Sequence, residues 1–410
     1  MLRSSVLALT LALAALTAGV ASAAPQLERV VVVMRHGVRP PTQPNDQIAK
    51  YAADPWPDWP VAPGELTPHG ADTVALMGAT LRAAYVARGV LPASDCSDAA
   101  QVSVWADGTD QRTRRTGEIL AVSLEPGCNV LTDWAPAQPR DPIFGGSTEA
   151  ACKVDPTHDW AAAQPTAAEL DRLKAANAVL QAIFGPTACQ GGTGMCFASG
   201  PDSGGVFPQT AGLAEDVLLE YADDKPIKEV GWGRASRADI DAIMPIHEAA
   251  FARLRENVYA SSRRGAAMTR VVLAALAGQP IGGGPLTGPQ LKFLGLSGHD
   301  TNLVLMASTF GLDWTLPGEP DSTAPSTALA FELWRDGPHR YVRAVLYYET
   351  LDQLRDLQPA LAQSMPLKFA DCASGPLGSC PLDEVRRRAE SLIPPDCGLP
   401  PAEGAVTAKQ

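Results

Sequence analysis

Three separate stretches of the chain carry side chains suited to work on a phosphoryl group: Arg35-His36-Gly37-Val38-Arg39, Arg112, and His299-Asp300. Arginine suits phosphate because its planar fork donates two parallel hydrogen bonds and stays charged. A histidine set among arginines has its charged form disfavoured, so the neutral, nucleophilic imidazole persists into acid. Such a set favours covalent phosphoryl transfer to His36. Arg35, Arg39, Arg112 and His299 would spread the charge on the equatorial oxygens, and Asp300 would protonate the leaving alcohol. The same arginines lower the pKa of Asp300, the wrong direction for an acid; a bound phosphoryl dianion and a low working pH both offset this. Thr42 and Gln43, just after the first stretch, are candidate pocket residues. Glu215, in Leu213-Ala214-Glu215-Asp216, reads either as a pocket residue or as part of a solvated helix face. Arg114 and Arg115 read as a solvated helix face.

The elements that must position these groups are strands that stop abruptly. Val30 to Val33 are four consecutive valines, which suit a strand buried on both faces better than a surface helix. Residues 102–106 and 291–297 read the same way and also end in polar residues, each followed by a helical pattern, to about Leu124 and Phe310. In open parallel sheets ligands bind beyond the carboxyl ends of the strands, so three strand ends deliver the candidate groups to one crevice. Thr67-Pro68 opens a helix to about Arg88, with Thr67 as N-cap. Residues 40–64, rich in proline and tryptophan, form an irregular loop that either packs rigidly or walls the crevice. Residues 328–334 and 341–348 read as two strands joined by a short connection. The end, from about Leu367, reads as loop with one helix near 383–391. Between 155 and 278 the pattern is helical and rich in alanine and leucine, which predicts a helical insertion. The expected fold is α/β: a mainly parallel central sheet flanked by helices, built from 24–154 and 279–410, with the smaller helical domain 155–278 inserted over the cleft.

Composition narrows the setting. Arg3, an apolar run from Val6 to Val20 and Ala21-Ser22-Ala23 form a secretory signal over 1–23, and no later stretch approaches a membrane span. Its removal takes one arginine and no acid, moving the formal charge from -12 to -13, which argues against nucleic acid as partner. Eight cysteines, Cys96, Cys128, Cys152, Cys189, Cys196, Cys372, Cys380 and Cys397, behind an export signal read as four disulfides rather than a zinc site. The near pairs 189/196 and 372/380 are each placed to clip a small loop; spacing leaves the other four unassigned.

The stretches RHGVRPPT, TDQRTRRTGE and GHDTN, with WPDWPV, EVGWGR and ETLDQLRD, resemble the histidine acid phosphatases of the histidine phosphatase superfamily, particularly the bacterial periplasmic phytases and glucose-1-phosphatases. The resemblance implies His36 as nucleophile, Arg35, Arg39, Arg112 and His299 as phosphate clamp, and Asp300 as proton donor. It further implies no metal or other cofactor, a small-molecule phosphomonoester as substrate, a monomer located in the periplasm or secreted, and disulfides Cys96–Cys128, Cys152–Cys397, Cys189–Cys196 and Cys372–Cys380. Gln43 stands where the phytases tend to carry a lysine, which weakens the expectation of inositol hexakisphosphate as substrate. The glycine of RHGVR and the threonine of HDTN look more like the phytases than the glucose-1-phosphatases, which remain the alternative. A non-catalytic phosphate or phosphosugar binder would need neither nucleophile nor acid. A mutase would have to keep the phosphoryl group from water.

Overall fold

The computed structural model describes residues 24–145, 152–158, 167–185, 206–281, 287–357, 362–395 and 397, apart from 95, 98, 131, 138, 139, 371, 373 and 374. The expected signal at 1–23 and the pair Cys189 and Cys196 lie outside the described residues.

The strands are β1 (Gln26–Arg35), β2 (Val102–Ala106), β3 (Thr132–Trp134), β4 (Phe293–Gly298), β5 (Ala328–Asp336), β6 (His339–Tyr348), β7 (Gln363–Leu367) and β8 (Cys380–Pro381). They form one sheet in the order β3-β2-β4-β1-β5-β6-β7, with β8 pairing β6. The half β3-β2-β4-β1, which carries the candidate residues, is parallel. From β1 onward the pairing is antiparallel, and β5 returns to β6 through a two-residue turn at Gly337 and Pro338. The expected parallel α/β sheet is thus present where the site is built, and a hairpin-based half extends it.

The helices are α1 (Asn45–Ile48), α2 (Pro68–Ala87), α3 (Gln111–Leu124), α4 (Pro142–Gly145), α5 (Ala167–Phe184), α6 (Val206–Ala222), α7 (Arg237–Glu256), α8 (Val258–Arg264), α9 (Ala266–Ala277), α10 (Asp300–Phe310), α11 (Leu351–Asp356) and α12 (Leu382–Leu392). Thr67 caps α2 as the sequence predicts, its Oγ1 accepting from Gly70 N at 2.8 Å. The valines of β1 alternate between two cores, as pleating requires. Val30, Val32 and Met34 pack under α2 and α3 with Leu81, Leu120 and Leu124. Val31 and Val33 face α9 and α10 with Val271, Leu303 and Val304. Burial on both faces explains the unbroken valine run.

A third core joins α5, α6 and α7 to the proline-rich loop after β1. Trp56 is buried there, edge-on to Phe184 and Trp232, and donates Nε1 to Ile48 O at 2.9 Å. The helices of residues 155–278 are therefore shared between two cores, since α9 lies on the sheet. Nine of its twelve residues are buried, and a helix apolar all round gives no sequence signal of which core it joins. Disulfides join Cys96 to Cys128, Cys152 to Cys397 and Cys372 to Cys380. Among the described residues no helix is long and apolar enough to cross a membrane.

Candidate active site

Strands β1, β4 and β2 are neighbours in parallel register, with Arg35 opposite Gly298 and Ala106 opposite Ser297. Their next residues, His36, His299 and Asp107, therefore emerge side by side at the carboxyl edge. His36 N donates to Gly298 O at 3.0 Å and Asp107 N to Ser297 O at 3.0 Å, extending the ladder by one rung. The loop then turns tightly under α2. A Cβ on Gly37 would lie 2.3 Å from Gly70 O, and one on Gly70 would lie 2.3 Å from Val38 O. Both glycines are demanded by this approach of the loop to the helix N-terminus.

His36 is buried, and its Nδ1 lies 2.8 Å from Gly37 O. The carbonyl can only accept, so Nδ1 carries the proton and Nε2 keeps its lone pair. Burial, together with the charges of Arg112, Arg35, Arg39 and His299, holds its pKa well below the ordinary histidine value. His299 stands edge-on to it, ring centres 5.7 Å apart.

A cleft of about 370 Å³ opens over these rings, lined by His36, Arg39, Arg112, His299, Asp300 and Thr301, and also by Asp110, Arg140, Phe144 and Arg264. Arg39 Nη2 donates to Glu215 Oε2 at 3.1 Å. Arg112, in the first turn of α3, donates to Gly64 O and Asp110 Oδ2, each at 3.1 Å. Asp300 begins α10, and its Oδ1 accepts from Thr301 N and Oγ1. Burial alone would raise its pKa, but Arg35, Arg39 and His299 outweigh that and bring it to about 2. The low value is the direction anticipated from the arginines.

Four expected residues stand elsewhere than in the cleft wall. Arg35 is fully buried behind it: Nη1 donates to Asp321 Oδ2 at 2.8 Å and to Thr323 O at 2.5 Å, Nη2 donates to Glu215, and Asp300 Oδ2 lies 3.5 Å away. Its carboxylate partners raise its pKa despite burial. Glu215 is neither a solvated helix residue nor part of the cleft wall; it is a buried carboxylate shared by Arg35 and Arg39. Thr42 and Gln43 are exposed on the following loop, outside the cleft lining, with Thr42 beside the Gly64 that holds Arg112.

Several residues join the site that the motifs did not single out. Asp107, buried at the end of β2, accepts from His299 Nε2 at 2.8 Å, Arg140 Nη2 at 3.2 Å and Thr109 N at 2.9 Å; against its burial, His299 and Thr109 hold its pKa well below the usual carboxylate range. His247 on α7 faces Asp321 at 3.6 Å, and Asp321, Glu215 and Glu248 push it up to about 9 against its burial. Asp107 stands at a strand end and was open to the same reasoning as His36. Arg140 and Asp321 come from loops, His247 from the interior of α7 and Arg264 from the end of α8, with no local signature.

Among the described residues, Asp107, Asp110 and His299, and separately Glu215, His247 and Asp321, each bring three donor atoms within 4.8 Å of one another. Both sets are already committed to cations of the chain, Arg112 and Arg140 in the first, Arg35 and Arg39 in the second. The arrangement instead suits a small anion: a neutral imidazole under several guanidinium groups, with a carboxyl group beside it.

Residues 26–180 match the family described as the Histidine phosphatase superfamily (branch 2). Phytase AppA of Escherichia coli (strain K12) is 30% identical over 91% of this chain and 94% of that protein. The glucose-1-phosphatase of Salmonella typhimurium is 22% identical over 88% of this chain and 91% of that protein. The fold matches Hafnia alvei phytase in complex with myo-inositol hexakis sulphate at a TM-score of 0.82 and 31% identity, covering 93% of this chain and all of that one. The chain belongs to branch 2 of the histidine phosphatase superfamily and is a phosphomonoester hydrolase of the histidine acid phosphatase kind.

Proposed function

We propose that hydrolysis runs through a phosphohistidine at His36. Arg39, Arg112 and His299 hold the phosphoryl oxygens directly, and Arg35 supports them by its field from behind the cleft. Nε2 of His36 attacks phosphorus while Nδ1–H stays on Gly37 O, so the ring is fixed without a separate carboxylate partner. As the N–P bond forms, the P–O bond to the alcohol breaks and Asp300 delivers the proton to the leaving oxygen. Water then attacks the phosphohistidine, gives its proton to Asp300, and phosphate leaves with His36 restored. The observation that carries this reading is the Nδ1 bond to Gly37 O at 2.8 Å, which leaves Nε2 as the reactive nitrogen of a residue in the cleft wall.

For substrate, we infer a phytase-like acid phosphatase, with sugar phosphates of the glucose-1-phosphatase type as the second reading. Support comes from the greater identity to the phytases and from the four arginines of the cleft, more cations than one phosphoryl group needs. Thr42 and Gln43 lie on the exposed loop outside the cleft lining, and Gln43 carries no charge. We further propose an exported monomer that acts on small molecules rather than nucleic acid. Its α/β domain (24–154 and 279–410) is capped by helices of 155–278, with α9 packed on the sheet. A panel of inositol hexakisphosphate, glucose 1-phosphate and an aryl phosphate at acid pH tests the substrate. The highest kcat/KM should fall on inositol hexakisphosphate; a preference for glucose 1-phosphate would favour the second reading.

A further inference from the structure

Arg140 stands apart from the other cations of the cleft. It comes from the loop between β3 and α4, and 40% of its side chain is exposed. Its stem lies over Gly145: a Cβ there would come within 2.8 Å of Arg140 Cδ and 2.9 Å of Cγ. That bare glycine gives the stem its course toward the cleft. Among the described residues its guanidinium makes one hydrogen bond, Nη2 to Asp107 Oδ2 at 3.2 Å. The same oxygen takes His299 Nε2 at 2.8 Å. One carboxylate oxygen is therefore shared between a phosphate-facing histidine and a half-exposed arginine, and the arginine has the longer bond.

We propose that Arg140 is a specificity-determining residue that leaves Asp107 to pair with a second anionic group on the substrate. This rests on the phosphatase reading above. A second phosphate on the leaving group gives the guanidinium a partner with more charge and more acceptor oxygens than one shared carboxylate oxygen offers. Once Arg140 is drawn away, His299 has sole use of Asp107 Oδ2, while Oδ1 stays on Thr109 N, and the imidazole is held more firmly in its phosphate-facing orientation. Occupancy of the rim is thus coupled to the clamp on the transferred group. The second phosphate should raise kcat as well as lower KM, as expected where remote binding is expressed in the transition state.

The test compares propane-1,3-diol monophosphate and bisphosphate as matched esters. Loss of one charge-assisted contact predicts that Arg140→Gln lowers the bisphosphate-to-monophosphate ratio of kcat/KM by about ten- to a hundredfold. Arg140→Lys should restore part of that ratio, since it keeps the charge without the fork. Gly145→Ala, which displaces the stem and alters no charge, should lower the ratio in the same direction. An unchanged ratio in Arg140→Gln, with both esters slowed equally, would overturn the proposal and leave Arg140 a brace for Asp107. Failure of the wild-type enzyme to hydrolyse either ester would instead sink the phosphatase reading itself.

Discussion

Asp300→Asn removes the proposed proton donor while keeping its shape, and the structure sets the size of the effect. With its pKa near 2, about one Asp300 in a thousand is protonated at pH 5. A donor so rarely charged with its proton cannot serve unless the substrate changes its ionisation. One net negative charge about 5 Å away, at an effective dielectric of about 20, disfavours the carboxylate by about 3.3 kcal/mol. That is a factor of about 250 in the protonated fraction, enough to bring it to about one in five. The bound phosphoryl group therefore loads its own acid. Glycerol phosphate, whose alkoxide must be protonated, should lose about 10²- to 10⁴-fold in kcat/KM. 4-Nitrophenyl phosphate, with a stable leaving phenolate, should lose less than about tenfold on the same reasoning. In profiles from pH 3 to 7 the wild-type kcat for glycerol phosphate should fall on a basic limb that the variant lacks. Equal losses on the two esters, or an unchanged limb, would refute the assignment.

Other expectations concern the carboxylates behind the cleft. Glu215→Gln leaves Arg35 and Arg39 without their shared counter-charge, and breaking such a buried pair costs about 3–5 kcal/mol. Chemical denaturation should show that loss together with a fall in kcat/KM, and a change below about 1 kcal/mol would count against the bridging role. Stability should also peak at about pH 4–6 and decline on either side. Asp107, Asp300 and Asp321 have pKa values held low, so their contribution is present above about pH 4 and is lost as pH falls through the folded values. His247, Asp216 and Glu220 are pushed up to about 9, 7 and 8, so their contribution is full below the unfolded values and is lost as pH rises through the folded ones. Melting temperatures that climb steadily from pH 5 to 9 would contradict this sign.

The parallel half of the sheet was legible because β1, β2 and β4 are apolar runs that stop at charged residues, and a buried parallel strand leaves that mark. The hairpin of β5 and β6 was legible from its short Gly-containing connection. Strand β7 was not: Gln363-Ser364-Met365-Pro366-Leu367 lies at an edge, is mostly exposed and contains a proline, so nothing in it alternates. In the site, His36, Arg39, Arg112, His299 and Asp300 could be grouped because each sits at a strand end. The placement of Arg35 could not, because its partners Glu215 and Asp321 lie 180 and 286 residues away in the sequence. Glu215 shows the same limit. Its helix reads as amphipathic, and only the approach of α6 to the end of β1 turns it into the shared partner of two arginines.

The central claim is that His36 becomes covalently phosphorylated during turnover. Rapid quenching with ³²P-labelled substrate into alkali, followed by peptide mapping, should find acid-labile phosphate on the peptide containing His36, formed and lost fast enough to account for kcat. Turnover with no labelled enzyme at any time, or label on another residue, would contradict it.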